Sequence, residues 1–139
     1  MKQSDFETFV MGLPDVQREE SYGYSFFFVG SDHRLPFVTI ADTDNEYDKV
    51  SNLDREGVFR LNIGVSKDTF NQLTARQSDH DIDYTVLNEF LPHPEYSRQH
   101  FVCILNPAQD RAEMTKRLIV EAHGLAVDRV RRKGIPNEA

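Results

Sequence analysis

The run Val58-Phe59-Arg60-Leu61-Asn62-Ile63-Gly64-Val65 constrains the fold more than any other segment of the chain. Phe59, Leu61, Ile63 and Val65 alternate with Val58, Arg60, Asn62 and Gly64, which is the period of a β-strand with one face in a core. The sheet this strand joins has to accept a cation and an amide on its other face. Arg60 and Asn62 then point the same way, about 7 Å apart by strand rise. Such a pair is able to grip a carboxylate, phosphate or amide. The alternative is internal: Arg60 pairs with a neighbouring acid such as Asp54, and Asn62 caps a turn.

The rest of the chain supplies partners for that strand. Ser4-Asp5-Phe6-Glu7 reads as a capping box, followed by Phe6, Phe9, Val10 and Leu13 on one helical face and a stop at Gly12 and Pro14. Tyr22 to Val29 is an aromatic strand bounded by Gly30-Ser31-Asp32, and Pro36 to Ala41 is expected to pair with it as a hairpin. Ser66 is placed to cap a helix through Asp68, Phe70 and Leu73. Gln77 to Asp83 reads as a polar loop, Tyr84 to Leu91 as a short helix ended by Pro92, and Phe101 to Leu105 as a strand. Asn106-Pro107 opens the last helix, with Met114, Leu118, Ala122, Leu125 and Ala126 as its buried stripe and Arg131-Arg132-Lys133-Gly134 as its end.

Helix, three strands, helix, strand, helix predicts a two-layer α+β domain, a mainly antiparallel sheet with helices on one face. A chain of 139 residues has room for one such domain, expected over 1–134 with a flexible tail over 135–139, and needs no metal or disulfide staple at that size. Cys103 is the single cysteine, so there is no intramolecular disulfide and no cysteine zinc site; within Phe101-Val102-Cys103-Ile104-Leu105 it reads as a small core hydrophobe. The first residues lack the apolar stretch of a signal peptide and no window is long enough to span a membrane, which predicts a cytoplasmic protein.

Few segments carry chemistry. The acidic run Asp42 to Asp48 begins like a calcium loop, but Tyr47 stands where the sixth-position Gly is required and Leu53 where the twelfth-position Glu is. It reads as a solvated acidic turn. Asp79-His80-Asp81 with Asp83 reads as a charged loop, since no paired-histidine motif accompanies it. No G-x-S-x-G elbow, P-loop or G-x-G-x-x-G fingerprint occurs. No metal or cofactor is expected. In Leu91-Pro92-His93-Pro94-Glu95-Tyr96, two prolines stiffen the backbone around His93, which lowers the entropy cost of holding one imidazole in place. His93 is a candidate acid or base, or a hydrogen-bonding strut of the loop, with Tyr96 as its partner or as a plug at the core edge.

Ser51 through Val65, Leu91 through Tyr96 and Phe101-Val102-Cys103-Ile104-Leu105-Asn106-Pro107 resemble an uncharacterised bacterial family, domain of unknown function 6194. The resemblance covers Leu35 to Ala126 and brings no catalytic residues with it. The element order also resembles the MmcQ/YjbR-like group, which implies a compact α+β domain with a DNA-binding role. Charge weighs against that role. The net charge of −7 divides into +3 for residues 111–139 and −10 for residues 1–110, so only the last helix has a basic face to offer phosphates.

Three expectations follow. The first is a domain that binds a small molecule or protein through Arg60, Asn62, His93 and Tyr96 without catalysis. The second is nucleic-acid binding through Arg129, Arg131, Arg132 and Lys133, disfavoured by the acidity of the body. The third is an enzyme with His93 as acid/base and Arg60 as anion binder. No membrane partner is expected, and an exposed edge of the aromatic sheet offers a homodimer interface.

Overall fold

A computed structural model describes residues 1–77 and 81–138, with side chains through Arg132. The Asp79-His80 part of the acidic loop, the Lys133 side chain and the side chains of the tail expected over 135–139 lie outside the described residues. The described residues form an α+β fold with one six-stranded antiparallel sheet and three α-helices. In chain order these are α1 (Gln3–Met11), β1 (Val16–Ser21), β2 (Tyr24–Val29), β3 (Val38–Ala41), β4 (Arg60–Gly64), α2 (Lys67–Thr74), β5 (Leu91–Pro92), β6 (Phe101–Leu105) and α3 (Gln109–Glu138). The strands lie side by side as β1-β2-β3-β4-β6-β5. No helix among the described residues is long and apolar enough to cross a membrane.

The alternation read in residues 58–65 decides the two faces. Leu61 and Ile63 point into the main core with Phe27, Val29, Val38, Ile40, Val102 and Ile104, covered by Phe6 and Val10 of α1 and by Leu118, Ile119, Ala122 and Ala126 of α3. Antiparallel register places Arg60 opposite Ala41 and Leu105, Asn62 opposite Thr39 and Cys103, and Gly64 opposite Phe101. Thr39 in turn stands opposite Phe26, and Ala41 opposite Tyr24. One face of the sheet is therefore apolar and carries helices. The other mixes aromatic and polar side chains.

Several local expectations are corrected. The aromatic strand β2 pairs with β3 as expected, from Tyr24↔Ala41 to Phe27↔Val38, but on its other side it also forms a hairpin with β1, an unexpected strand, in register from Val16↔Val29 to Ser21↔Tyr24. Tyr22 and Gly23, expected inside the strand, form its two-residue turn with φ of 53° and 81°, the positive pair that a type I′ turn requires. β1 reads Val-Gln-Arg-Glu-Glu-Ser and is largely exposed. An edge strand guarded by charge has no apolar alternation to betray it. Four strands rather than three thus precede α2, which changes the element order on which the likeness to MmcQ/YjbR-like proteins rested.

At the N-terminus the cap is Lys2, not Ser4: the Lys2 N–H donates to Asp5 Oδ2 at 2.7 Å, and the Asp5 N–H donates to the Lys2 carbonyl. The helix expected over Tyr84 to Leu91 does not form. Asn88 has φ of 62°, its N–H donates to the Leu105 carbonyl, and its side chain bridges the Ala108 N–H and Asp110, so the segment's polar groups are taken up across the fold. Leu91 and Pro92 instead add an edge strand to β6, where a residue without an N–H is tolerated. In α3 the buried stripe runs through Thr115, Leu118, Ile119, Ala122 and Ala126, while Met114 is exposed. The helix also continues past Gly134, to Glu138. Ser66 caps α2 as expected, its Oγ accepting the Thr69 N–H at 3.2 Å.

Candidate functional site

The helix-free face of the sheet holds a cavity of about 420 Å³. Tyr24, Phe26, Thr39, Asn62 and Phe101 come to it from the strands, and His93, Glu95 and Tyr96 from the loop after β5. Tyr24 and Phe26 stack at 5.6 Å between ring centroids, and Phe28 continues the row at 6.5 Å from Phe26. Opposite them, His93, Tyr96 and Phe101 form a second aromatic group, with His93 5.0 Å from Tyr96 and Tyr96 6.4 Å from Phe101. Gly64 makes room for this wall, because a Cβ there would come within 2.9 Å of the Phe101 ring.

Arg60 lies behind the cavity rather than in its lining. It is 0% exposed. Its Nε donates to Asn62 Oδ1 at 3.0 Å, Nη1 to Ser51 Oγ at 3.0 Å and Asp48 Oδ1 at 3.3 Å, and Nη2 to Asp48 Oδ2 at 2.5 Å and the Tyr24 hydroxyl at 3.2 Å. A guanidinium has five N–H groups, and five bonds within the protein engage them all. Tyr24 in turn donates to Asp48. Asp48 is therefore the acidic partner, and Asp54, the one suggested by proximity in sequence, accepts the Asp44 N–H instead. Asn62 caps no turn; its Nδ2 donates to Thr39 Oγ1 at 2.9 Å.

Burial and pairing shape the electrostatics. Burial works to raise the Asp48 pKa, but hydrogen bonds from Arg60 and Tyr24 and the Arg60 charge hold it below the ordinary carboxylate value. Burial likewise opposes the Arg60 charge, and Asp48 more than restores it. Tyr24 is raised by burial and by its bond to Asp48. The ion pair is thus maintained, and its charges cancel. His93 is pushed down to about 3, first by burial and then by the nearby Arg60 charge. Its Nδ1 accepts the N–H groups of Glu95 and Tyr96, each at 3.0 Å, which fixes the ring and leaves Nε2 to carry the proton.

The structure thus brings Asn62, His93 and Tyr96 into one cavity and sets Arg60 against its back wall. Sequence reasoning missed Asp48, Tyr24, Ser51 and Thr39. Asp48 was visible only as part of an acidic run, whose members prove to be braces: Asp44 Oδ1 accepts the Leu53 N–H at 2.8 Å, and Asn45 Oδ1 the Tyr47 N–H at 2.7 Å. The match to the family of unknown function DUF6194 spans residues 1–134. The chain belongs to that family. No curated protein and no solved structure matches it.

The DUF6194 chain places its remaining candidates elsewhere. Arg129 is half-buried beside a small cleft of about 50 Å³ with Asp32 and Arg34, while Arg131 and Arg132 are exposed on α3, and none of them lines the larger cavity. Cys103 is buried in the sheet, and burial pushes its thiol up to about 12, as a core hydrophobe requires. Among the described residues no cluster of His, Cys, Asp and Glu is arranged to hold a metal ion.

Proposed function

We infer that the chain binds a small organic molecule in the cavity on the helix-free face of its sheet and acts as a binding domain rather than a catalyst. The observation that carries this reading is the convergence of two aromatic groups with the buried side chains of Asn62 and His93 around one cavity. Its volume of about 420 Å³ falls in the range of roughly 300–1,000 Å³ typical of small-molecule sites. The Arg60–Asp48–Tyr24 network supports the arrangement from behind, locking the Asn62 amide through its oxygen. A rotamer fixed in this way loses little entropy when a ligand arrives.

The same geometry weighs against catalysis by these residues. A histidine pushed down to about 3 is a weak base, with little driving force for taking a proton at neutral pH. Arg60 has no donor left for an external anion.

A fragment library titrated into the isotope-labelled chain tests the reading. Binders are expected to shift amide resonances at Thr39, Asn62, His93 and Tyr96 together. Leu35 lies exposed at the rim, so Leu35→Trp should narrow the cavity without unfolding the protein and abolish those shifts. A library that moves no lining resonance, or binding untouched by Leu35→Trp, would refute the assignment.

A further inference from the structure

We propose that the cavity takes an uncharged, planar aromatic molecule that presents carbonyl-type oxygen to hydrogen-bond donors at its base, an inference that rests on the small-molecule reading. It comes from counting donors. Thr39, Asn62 and His93 are 8%, 1% and 7% exposed, and all three line the cavity. His93 Nδ1 accepts two backbone N–H groups, so its Nε2–H remains to be given. Thr39 Oγ1 accepts from Asn62, which leaves its own hydroxyl hydrogen free to turn. The Asn62 oxygen is held by Arg60, and one of its two amide hydrogens goes to Thr39, leaving the second. Among the described residues none of these three hydrogens has a protein acceptor.

Acceptors are fewer at this buried base: Asn62 Oδ1 keeps one further lone pair, the Tyr24 hydroxyl and the Asp48 carboxylate are engaged with each other and with Arg60, and Glu95 and Gln99 are exposed lining residues. An occupant cuts these donors off from water, and a donor then left without an acceptor is costly, so the base of this cavity is complementary to oxygen. One carbonyl, with two lone pairs, can serve two of the three donors. The walls select the body of the molecule: the Tyr24–Phe26 stack on one side and the His93, Tyr96 and Phe101 rings on the other favour a flat π-system. Charge is disfavoured at the base. Arg60 and Asp48 already neutralise each other, residues 1–110 carry a net −10 that repels anions, and a cation would meet donors rather than acceptors. The exposed rim tyrosines Tyr22 and Tyr47 are the feature a cation would use instead.

Four probes separate these classes in NMR titrations of the full chain: chromone, naphthalene, 1-naphthoate and N-methylquinolinium. Chromone is expected to bind tighter than naphthalene by about two- to tenfold for each donor it satisfies. His93→Asn keeps an acceptor at the δ position for the Glu95 and Tyr96 N–H groups while removing the Nε2 donor. It should lower the chromone-to-naphthalene ratio by about the same factor. Equal affinities for chromone and naphthalene would overturn the carbonyl class, as would an unchanged ratio in His93→Asn or tighter binding of 1-naphthoate or N-methylquinolinium. Failure of all four probes while the fragment library finds other occupants of the cavity would sink the class alone. Failure of both would sink the binding reading with it.

Discussion

Asp48→Asn tests the framework of the site most directly, because it removes one charge while nearly preserving shape. The partner guanidinium is 0% exposed and the Asp48 side chain 14%, so the pair lies close to the buried limit. Breaking a buried pair by removing one member costs about 3–5 kcal/mol, against about 0–1 kcal/mol for an exposed bridge. The new amide still accepts one hydrogen bond from Arg60, which places the expectation near the lower end, at about 3 kcal/mol. For 139 residues that corresponds to a fall in Tm of roughly 10 °C. Arg60→Met leaves a carboxylate that is partly open to water and still bonded to Tyr24, so its cost should be somewhat smaller. The double variant should be less destabilised than the sum of the two by at least about 1 kcal/mol, because each single change strands the other's charge. Urea unfolding followed by far-UV circular dichroism measures all four corners of this cycle. A loss below 1 kcal/mol in Asp48→Asn with an unchanged m value, or strict additivity in the double variant, would show that the pair behaves as a surface bridge and that the burial argument is wrong.

Acid should weaken the fold through two groups with the same sign. His93 titrates at about 3 in the folded chain against 6.5 as its ordinary value, so its contribution is fully present above 6.5 and declines by up to about 1.4 kcal/mol per pH unit as pH falls towards 3. Asp48, also lowered, adds its own loss only below the ordinary carboxylate range. Stability measured against pH in His93→Asn should be flatter between 6.5 and 4 than in the parent, and an identical slope would refute the assignment to His93. Gly64→Ala drives a methyl group into the Phe101 ring and should cost about 1–3 kcal/mol by overpacking, read as a lower urea midpoint; a neutral result would mean that the ring yields freely. The buried Cys103 thiol should ignore an aromatic disulfide reagent in the native protein and react at once in guanidinium chloride, whereas labelling of the folded chain at the rate of a free thiol would place it at the surface.

Asn62 and Arg60 show how far the sequence reached. Their shared face followed from strand period alone, and so did the opposite placement of Leu61 and Ile63 in the helix-covered core. The strand Phe101–Leu105, the Ser66 cap and the buried Cys103 were likewise legible, because each depends on residues adjacent in the chain. Legibility failed where the deciding partner was remote. Nothing local marks Val16–Ser21 as a strand, since its pairing energy comes from the backbone of β2 and its side chains are those of a solvated loop. Residues 84–91 read as a short helix ended by Pro92, yet Leu105, Ala108 and Asp110 claim the Asn88 groups and no helix forms.

Composition, periodicity and spacing by themselves determined that this chain makes an α+β fold with a mainly antiparallel sheet, one face apolar and the other bearing a cation and an amide. Only the tertiary structure decided what that second face does. Whether Arg60 would meet Asp54, Asp48 or an external anion depended on the path of residues 42–58 over the sheet. Coulomb attraction is set by distance and burial, and a chain can bring any of its acids near. The observed path consumes Arg60 inside the protein and leaves Asn62, Thr39 and His93, rather than the arginine, with hydrogen bonds to offer.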